Sequence, residues 1–366
     1  MGKELPMKVY LIGGTGLLGL EAAKILLKHG HEVEADALPP LPVGAEIPGN
    51  LKLHLCDSNL RSDEELKEML KDKDCFLFAA GIDERVECAP PVFDSYKRFN
   101  IDPLKRILPI AKEMGVKKAV VLGSYFSMLN NPEYGYDKKL PKGLTERNPY
   151  IRARLEQERT VASFCDEHFS AAVLELPYIF GTQPGRQPVW TILIEQIEGM
   201  DKMKSTLYPK GGTAMVTVHQ VGQAIAGACE KIGEEYKGFH ACPIGMVNYT
   251  WEQFLKVVYR ARGMGERKII GIPAFVMKLG MNKIIKQYKE RGIEPGLDPK
   301  YLPYIMNLNL FIEDTWARRF GVEDADIDEA IFDSIRVSVA CHKGDVKLLS
   351  MKGELTEEDK KALNIE

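Results

Sequence analysis

Two residues in the stretch NPYIRARLEQE (148–158) could move a proton. Tyr150 stands one helical turn before Arg154, so in a helix the two share a face. Asn148 suits the N-cap of that helix and Pro149 its first position. An unperturbed phenol has a pKa of about 10, poor for proton transfer near neutral pH, and a nearby cation lowers it. The same spacing also fits the solvated face of any surface helix. Catalysis needs a hydroxyl beside the tyrosine, a cofactor, and room for a substrate. Ser124 ends the apolar run VKKAVVLGS, 26 residues before Tyr150. A competing pair, Tyr134 and Lys138 in PEYGYDKK, sits among glycine and proline ten residues after Ser124. It reads as a solvated loop able to close over a substrate, not as a catalytic helix.

The cofactor candidate is GGTGLLG. Gly13, Gly16 and Gly19 fall between an apolar run, MKVYLIGG, and a helical pattern, TGLLGLEAAKILLKHG. In that setting the first glycine makes the turn, the second lets backbone approach a diphosphate, and the third brings helix and strand together. Thr15, Leu17 and Leu18 complete the turn and open the helix, whose free N–H groups and positive dipole end face the phosphates.

Alternating strands and helices must position these groups. Strands are expected at HEVEADA (31–37), NLKLHLCD (50–57), DCFLFAAG (74–81), VKKAVVLGS (116–124) and FSAAVLELPYIFG (169–181), with helices at 62–72, at 93–115 and from Pro149. Such alternation demands a parallel sheet with helices on both faces. After Gly181 the pattern degrades into prolines, a strand and several helices. The expected architecture is α/β: a Rossmann-type doubly wound parallel sheet over 1–180, with 212–240 returning to it. Residues 181–211 and 241–340 form a smaller, mainly helical C-terminal substrate lobe. Residues 341–366 read as a polar tail, with TEEDKKAL (356–363) as a short helix.

GGTGLLG, the ending HLCD, the ending FAAG, Asn100 in RFNI and the run GVKKAVVLGS occur in an order that resembles the extended short-chain dehydrogenases/reductases, the NAD-dependent epimerases and dehydratases. The resemblance covers roughly residues 7–260 and implies a dinucleotide cofactor. It implies that Asp57, with Ser58 beside it, bonds the adenine. Ala79, Ala80 and Gly81 would line the dinucleotide, and Asn100 would hold the helix near the active site. It also implies that Ser124 orients a substrate oxygen and Tyr150 carries the proton. The family's lysine is replaced here by Arg154, a planar fork in place of a compact ammonium. The nicotinamide would rest against Pro177, Tyr178 and Ile179. An acidic ribose ligand belongs at position 37, which is Ala37; Asp36 falls one residue short, and a one-residue shift on a strand reverses the face, so Asp36 is expected either as a locally adjusted ribose ligand or as a strand residue with some other partner. No lysine or arginine lies between His31 and Ala45 to hold a 2′-phosphate, which favours NAD and leaves NADP open. In sugar-nucleotide members the segment matching LELPYIFG resembles RPxNVYG. Glu175 and Tyr178 replace its arginine and asparagine, which points to a smaller or more apolar substrate. Tyr178, Arg186 and Trp190 join Ser124 as substrate-binding candidates. Tyr208, Met200, Met203 and Met215 fit either the pocket or the lobe's core.

A chain of 366 residues is long for one small core and suggests one large or two intimately joined domains. Net charge is −3, no reason to expect nucleic acid or a membrane as partner. Seven scattered cysteines without a CxxC read as reduced cytosolic thiols, and neither they nor the histidines show metal-ligand spacing. With no leader pattern, a cytoplasmic enzyme is expected, pairing as a homodimer through 101–115 and 149–168 as the family commonly does. The leading expectation is an NAD(P)-dependent oxidoreductase that interconverts a secondary alcohol and a ketone on a small or apolar substrate. One alternative is a nucleotide-sugar epimerase or dehydratase. Another is a non-catalytic NAD(P)-binding sensor or structural protein, favoured by Arg154 and the offset Asp36.

Overall fold

A computed structural model describes residues 6–349; the short helix expected at 356–363 lies outside them. β1 (Lys8–Ile12) runs into α1 (Leu17–Lys28), then β2 (Glu32–Ala37), β3 (Lys52–Leu55), α2 (Asp63–Leu70) and β4 (Cys75–Phe78). A two-residue strand, β5 (Glu87–Cys88), and a helical turn, α3 (Phe93–Tyr96), lead to α4 (Asp102–Glu113) and β6 (Lys118–Ser124). A second turn, α5 (Leu144–Arg147), precedes α6 (Pro149–Ser163), β7 (Ser170–Leu176) and β8 (Tyr178–Phe180). The remainder runs α7 (Thr191–Glu198), β9 (Ser205–Pro209), β10 (Gly212–Thr217), α8 (Val218–Lys231), β11 (Phe239–Pro243), β12 (Val247–Thr250) and α9 (Trp251–Ala261). Then come β13 (Lys268–Ile272), α10 (Ala274–Glu290), β14 (Glu294–Pro295), α11 (Leu302–Ile305), β15 (Asn309–Leu310), α12 (Thr315–Arg319) and α13 (Ile327–Lys343).

The main sheet has seven parallel strands in the order β11-β7-β6-β4-β1-β2-β3. The fold is therefore of Rossmann type, and strand order reverses between β1 and β4, where a crevice opens at the carboxyl ends. β4 and β7 are buried along their whole length, as strands covered on both faces must be. Leu20, Ile25 and Leu26 of α1 pack with Val221 and Ile225 of α8 on one face. Leu66 of α2, Leu104 and Leu108 of α4 and Val161 of α6 cover the other. Capping boxes start three helices: Ser62 with Glu65, Thr217 with Gln220, and Thr250 with Gln253.

The second half departs from the expected plan in three places. The apolar run 169–181 is cut at Pro177, so β7 stays in the main sheet while β8 joins a second, four-stranded sheet with β10, β12 and β15. Proline has no N–H to continue a ladder. Residues 212–217 belong to that second sheet, and the return to the main one is made by α8 and β11. The sequence FHACP of β11 is short and ends in proline, which hides a strand. α13 was also concealed: its buried face mixes Ile327, Ile331 and Ile335 with Ser334 and Ser338, weakening the apolar stripe. Among the described residues no helix is long and apolar enough to cross a membrane.

Candidate active site

At the end of β1, Gly13 takes a left-handed φ of 102°, and the N–H groups of Gly13 and Gly14 donate to Asp36 O at 2.9 and 3.0 Å. A Cβ on Gly19 would lie 2.2 Å from Gly13 O, so only glycine lets α1 sit this close to the turn. A Cβ on Gly16 would meet only Gly13 O, at 3.2 Å, which leaves open space on its outer side. No side chain caps α1, so the N–H groups of its first turn, from Leu17 onward, remain for another acceptor. An open backbone cradle ahead of an uncapped helix fits a diphosphate. The exposed side chains of Leu38, Leu55 and Leu60, at the ends of β2 and β3, supply an apolar surface near Asp57 that suits an adenine ring. Asp57 Oδ1 accepts from Asn59 N and Nδ2, both at 2.9 Å, and Ser58 is buried behind it.

Asp36 does not present a free carboxylate. It is 1% exposed; Tyr10 donates to Oδ2 at 2.6 Å, and Arg61 donates through Nε and an NH2 group at 2.6 and 2.8 Å. The one-residue offset from Ala37 has turned it inward to an ion pair, which corrects the expectation of a ribose ligand there. Arg61, held by the same pair, is likewise committed. Burial, and then Asp36, pushes the Tyr10 phenol far above its usual range.

Ser124, Tyr150 and Arg154 do converge. Ser124 ends β6, is buried, and accepts from Phe126 N at 3.4 Å. Asn148 caps α6 by accepting from Ile151 N, and Pro149 occupies its first turn. Tyr150 is thereby fixed, 2% exposed, with its ring against Tyr96 and Phe126. Arg154 Cζ lies 5.1 Å from the ring centroid. The phenol is raised to about 12, chiefly by burial; Arg154 and the nearby Ser124 hydroxyl pull it down, and Glu84 and Asp83 push it up. Arg154 is buried and forks to Gln157 Oε1 at 2.8 Å, Ile82 O at 3.1 Å and Leu122 O at 3.5 Å. It thus ties α6 to the turn after β4 and to β6 through a planar guanidinium fork, in place of a compact ammonium. Its Nε is buried without a partner among the described residues.

Asn100, fully buried in a π-helical turn, accepts from Ile82 N and donates to Ile82 O, both at 2.8 Å. It pins the turn after β4 that carries Ala79, Ala80 and Gly81. Pro177 bridges the two sheets, and Tyr178 and Ile179 pair with Met215 and Val216 of β10. Tyr178 faces Tyr125, Trp190 and Trp251. Trp190 stacks on Phe180 at 4.2 Å and donates to Ile179 O, which makes it part of the lobe's core. Met215 is also core, and Met203 is exposed. Arg186 is not in this aromatic chamber. With Gln183 it donates to Thr15 O at 3.1 Å, closing the small lobe onto the glycine loop. Tyr134 is 39% exposed and stacks on Tyr136, and Lys138 is exposed, as the solvated-loop reading expects.

Sequence reasoning missed three groups here. Glu84, in the turn after Gly81, pushes up the phenols of Tyr96, Tyr125, Tyr150 and Tyr178 in addition to their burial. Burial pushes Glu158 up to about 7, and burial and then the neighbouring Glu158 push Glu175 well above the usual range. Residues 294–312 back the tyrosine: Tyr150 N donates to Gly296 O at 3.1 Å, and Ile305, Leu308 and Leu310 pack into its cluster. None of these has a periodic or motif signal. Farther off, His29 and His31 converge on Glu230 Oε1 at 2.7 and 3.1 Å. His31 Nδ1 accepts from Met7 N, so its Nε2 carries the proton and donates to the carboxylate rather than offering a lone pair to a metal.

A profile of the NAD dependent epimerase/dehydratase family matches residues 9–232, more than half of the chain. Curated protein sequences yield no match. Among solved structures, a nucleoside-diphosphate-sugar epimerase from Pseudomonas aeruginosa superposes with a TM-score of 0.63 at 14% identity, covering 93% of this chain and 99% of that one. MoeE5, solved with UDP-glucuronic acid and NAD, superposes with a TM-score of 0.61 at 16% identity, covering 91% and 99%. The protein gox2253 gives 0.66 at 18%, covering 93% and 99%. At these identities the structural likeness is one of fold, while the profile match, on the glycine loop and sheet just described, establishes that this chain belongs to the NAD-dependent epimerase/dehydratase family.

Proposed function

We propose that this chain catalyses NAD-dependent oxidation or reduction at a secondary carbinol carbon, with a nucleotide sugar as substrate class. The observation that carries the chemistry is Tyr150, held out of water beside Ser124 and Arg154. Ser124 orients the substrate oxygen, Tyr150 exchanges the proton with it, and Arg154 supplies the positive field. NAD, when bound, takes or gives the hydride. Because burial keeps the phenol protonated at neutral pH, Tyr150 is set to give its proton to a ketone oxygen, and rising pH favours the reverse direction. Pro177, Tyr178 and Ile179 back the nicotinamide, and Ala79, Ala80 and Gly81 line the dinucleotide. Two copies pair through α4 and α6.

The substrate class rests on relatives solved with nucleotide sugars, MoeE5 with UDP-glucuronic acid among them. It displaces the smaller, more apolar substrate as first reading. That second reading keeps one observation in its favour, the aromatic chamber of Tyr125, Tyr178 and Trp251. Tyr150→Phe is expected to lower NAD-dependent turnover by at least about 10²-fold while NAD affinity stays within twofold. Turnover on UDP- and dTDP-sugars against small secondary alcohols separates the substrate classes. If neither class is turned over and the variant leaves every cellular phenotype unchanged, a non-catalytic sensor is the better description.

A further inference from the structure

The even charge total conceals a local excess. Residues 202–210 and 264–291 carry ten lysines and arginines against two glutamates, a net of +8 in a chain whose total is −3. The fold joins these segments: β9 and β13 pair in parallel with Leu207 opposite Ile270, and β13 runs through Pro273 directly into α10. Leu207 and Ile270 are 40% and 39% exposed, and Met203 and Met264 are exposed beside the same strands.

α10 completes the surface. It is 17 residues long and has no buried residue. Its inner side is fixed by Met277, whose Sδ meets Asn307 Nδ2 at 3.2 Å, by Lys278 over the Tyr304 ring at 4.2 Å, and by Tyr288 bonded to Glu87. On the outer side Phe275 and Leu279, one turn apart, are 69% and 75% exposed. Lys283 and Lys286 continue the same stripe. Among the described residues Lys202, Lys204, Lys268, Lys283 and Lys289 take no acidic partner, and Lys286 reaches only Glu290, at 3.6 Å.

We propose that this face docks the protein on an anionic lipid surface, with Phe275 and Leu279 entering the headgroup boundary and the lysines around them bound to lipid phosphates and carboxylates. The charge decides the occupant. A second copy would set like charge against like charge, whereas an anionic bilayer complements the lysines and accepts the protruding apolar side chains.

The test is sedimentation of the full-length protein with phosphatidylcholine vesicles, with and without about 30% phosphatidylserine. Binding is expected only with phosphatidylserine and is expected to weaken with salt. Replacing both lysines, Lys283→Ala with Lys286→Ala, should lower the partition coefficient about 25-fold, since each basic residue near such a surface contributes about fivefold. Phe275→Ser with Leu279→Ser should lower it at least tenfold. Lys28→Glu with Lys343→Glu, outside the face, should leave it within twofold of wild type once the change in net charge is matched by salt. All four replaced side chains of the face are exposed, and unchanged melting temperatures would show the variants folded. No binding, equal binding to neutral vesicles, or a self-association that only the face variants abolish would overturn the proposal.

Discussion

Tyr150 and Asp36 show opposite fates of a polar residue at a strand or helix end. One turn of helix sets Tyr150 and Arg154 on one face, and the family resemblance points to Ser124 beside them. Spacing could not reveal that Asp36 answers to Tyr10 and Arg61, which lie 26 and 25 residues away in sequence. Removing one partner of such a buried pair, as in Arg61→Ala, is expected to cost about 3–5 kcal/mol, read by denaturant unfolding. Glu158 gives the pH dependence. Its carboxyl is raised to about 7 from an ordinary 4.5, so the folded state prefers the proton. That contribution to stability is full below about pH 4.5 and is lost as pH rises through about 7. Glu158→Gln removes the titration at this position. Its melting temperature should therefore gain on wild type between pH 5 and pH 8, by about 2–4 °C for each kcal/mol relieved. A gap that does not change with pH would remove Glu158 as the titrating group.

At the scale of elements, the glycine loop separates packing from binding. Gly19 is needed for packing, since a Cβ there would overlap Gly13 O. Gly16 has room for one outward and faces the cradle. Gly19→Ala is expected to destabilise the fold by about 1–3 kcal/mol and abolish NAD binding. Gly16→Ala is expected to hold its melting temperature within a few degrees and weaken NAD at least tenfold, measured by calorimetry. The reverse pattern would place the diphosphate elsewhere. The alternation was legible because β1, β4, β6 and β7 are largely buried apolar runs and α1, α2 and α6 carry a stripe or a cap. β11 and α13 were not, because a proline-ended pentapeptide and a serine-bearing stripe give no period.

At the scale of the molecule, the C-terminal extension returns to the site. β14 pairs with β5, and Gly296 packs so tightly that a Cβ would lie 1.7 Å from the Tyr96 hydroxyl. Gly296→Ala should lift this segment from α6 and lower turnover more than NAD affinity. Equal losses in both would make the contact merely structural. The sequence by itself determined the parallel sheet, the glycine loop and the shared helix face of Tyr150 and Arg154, because strand and helix periods and single turns are local. Only the tertiary structure decided that Asp36 faces inward, that Glu84 lies near enough to raise the Tyr150 phenol, and that residues 294–312 close behind the tyrosine. Those outcomes depend on which distant segments pack together, and burial over such distances leaves no periodic trace along the chain.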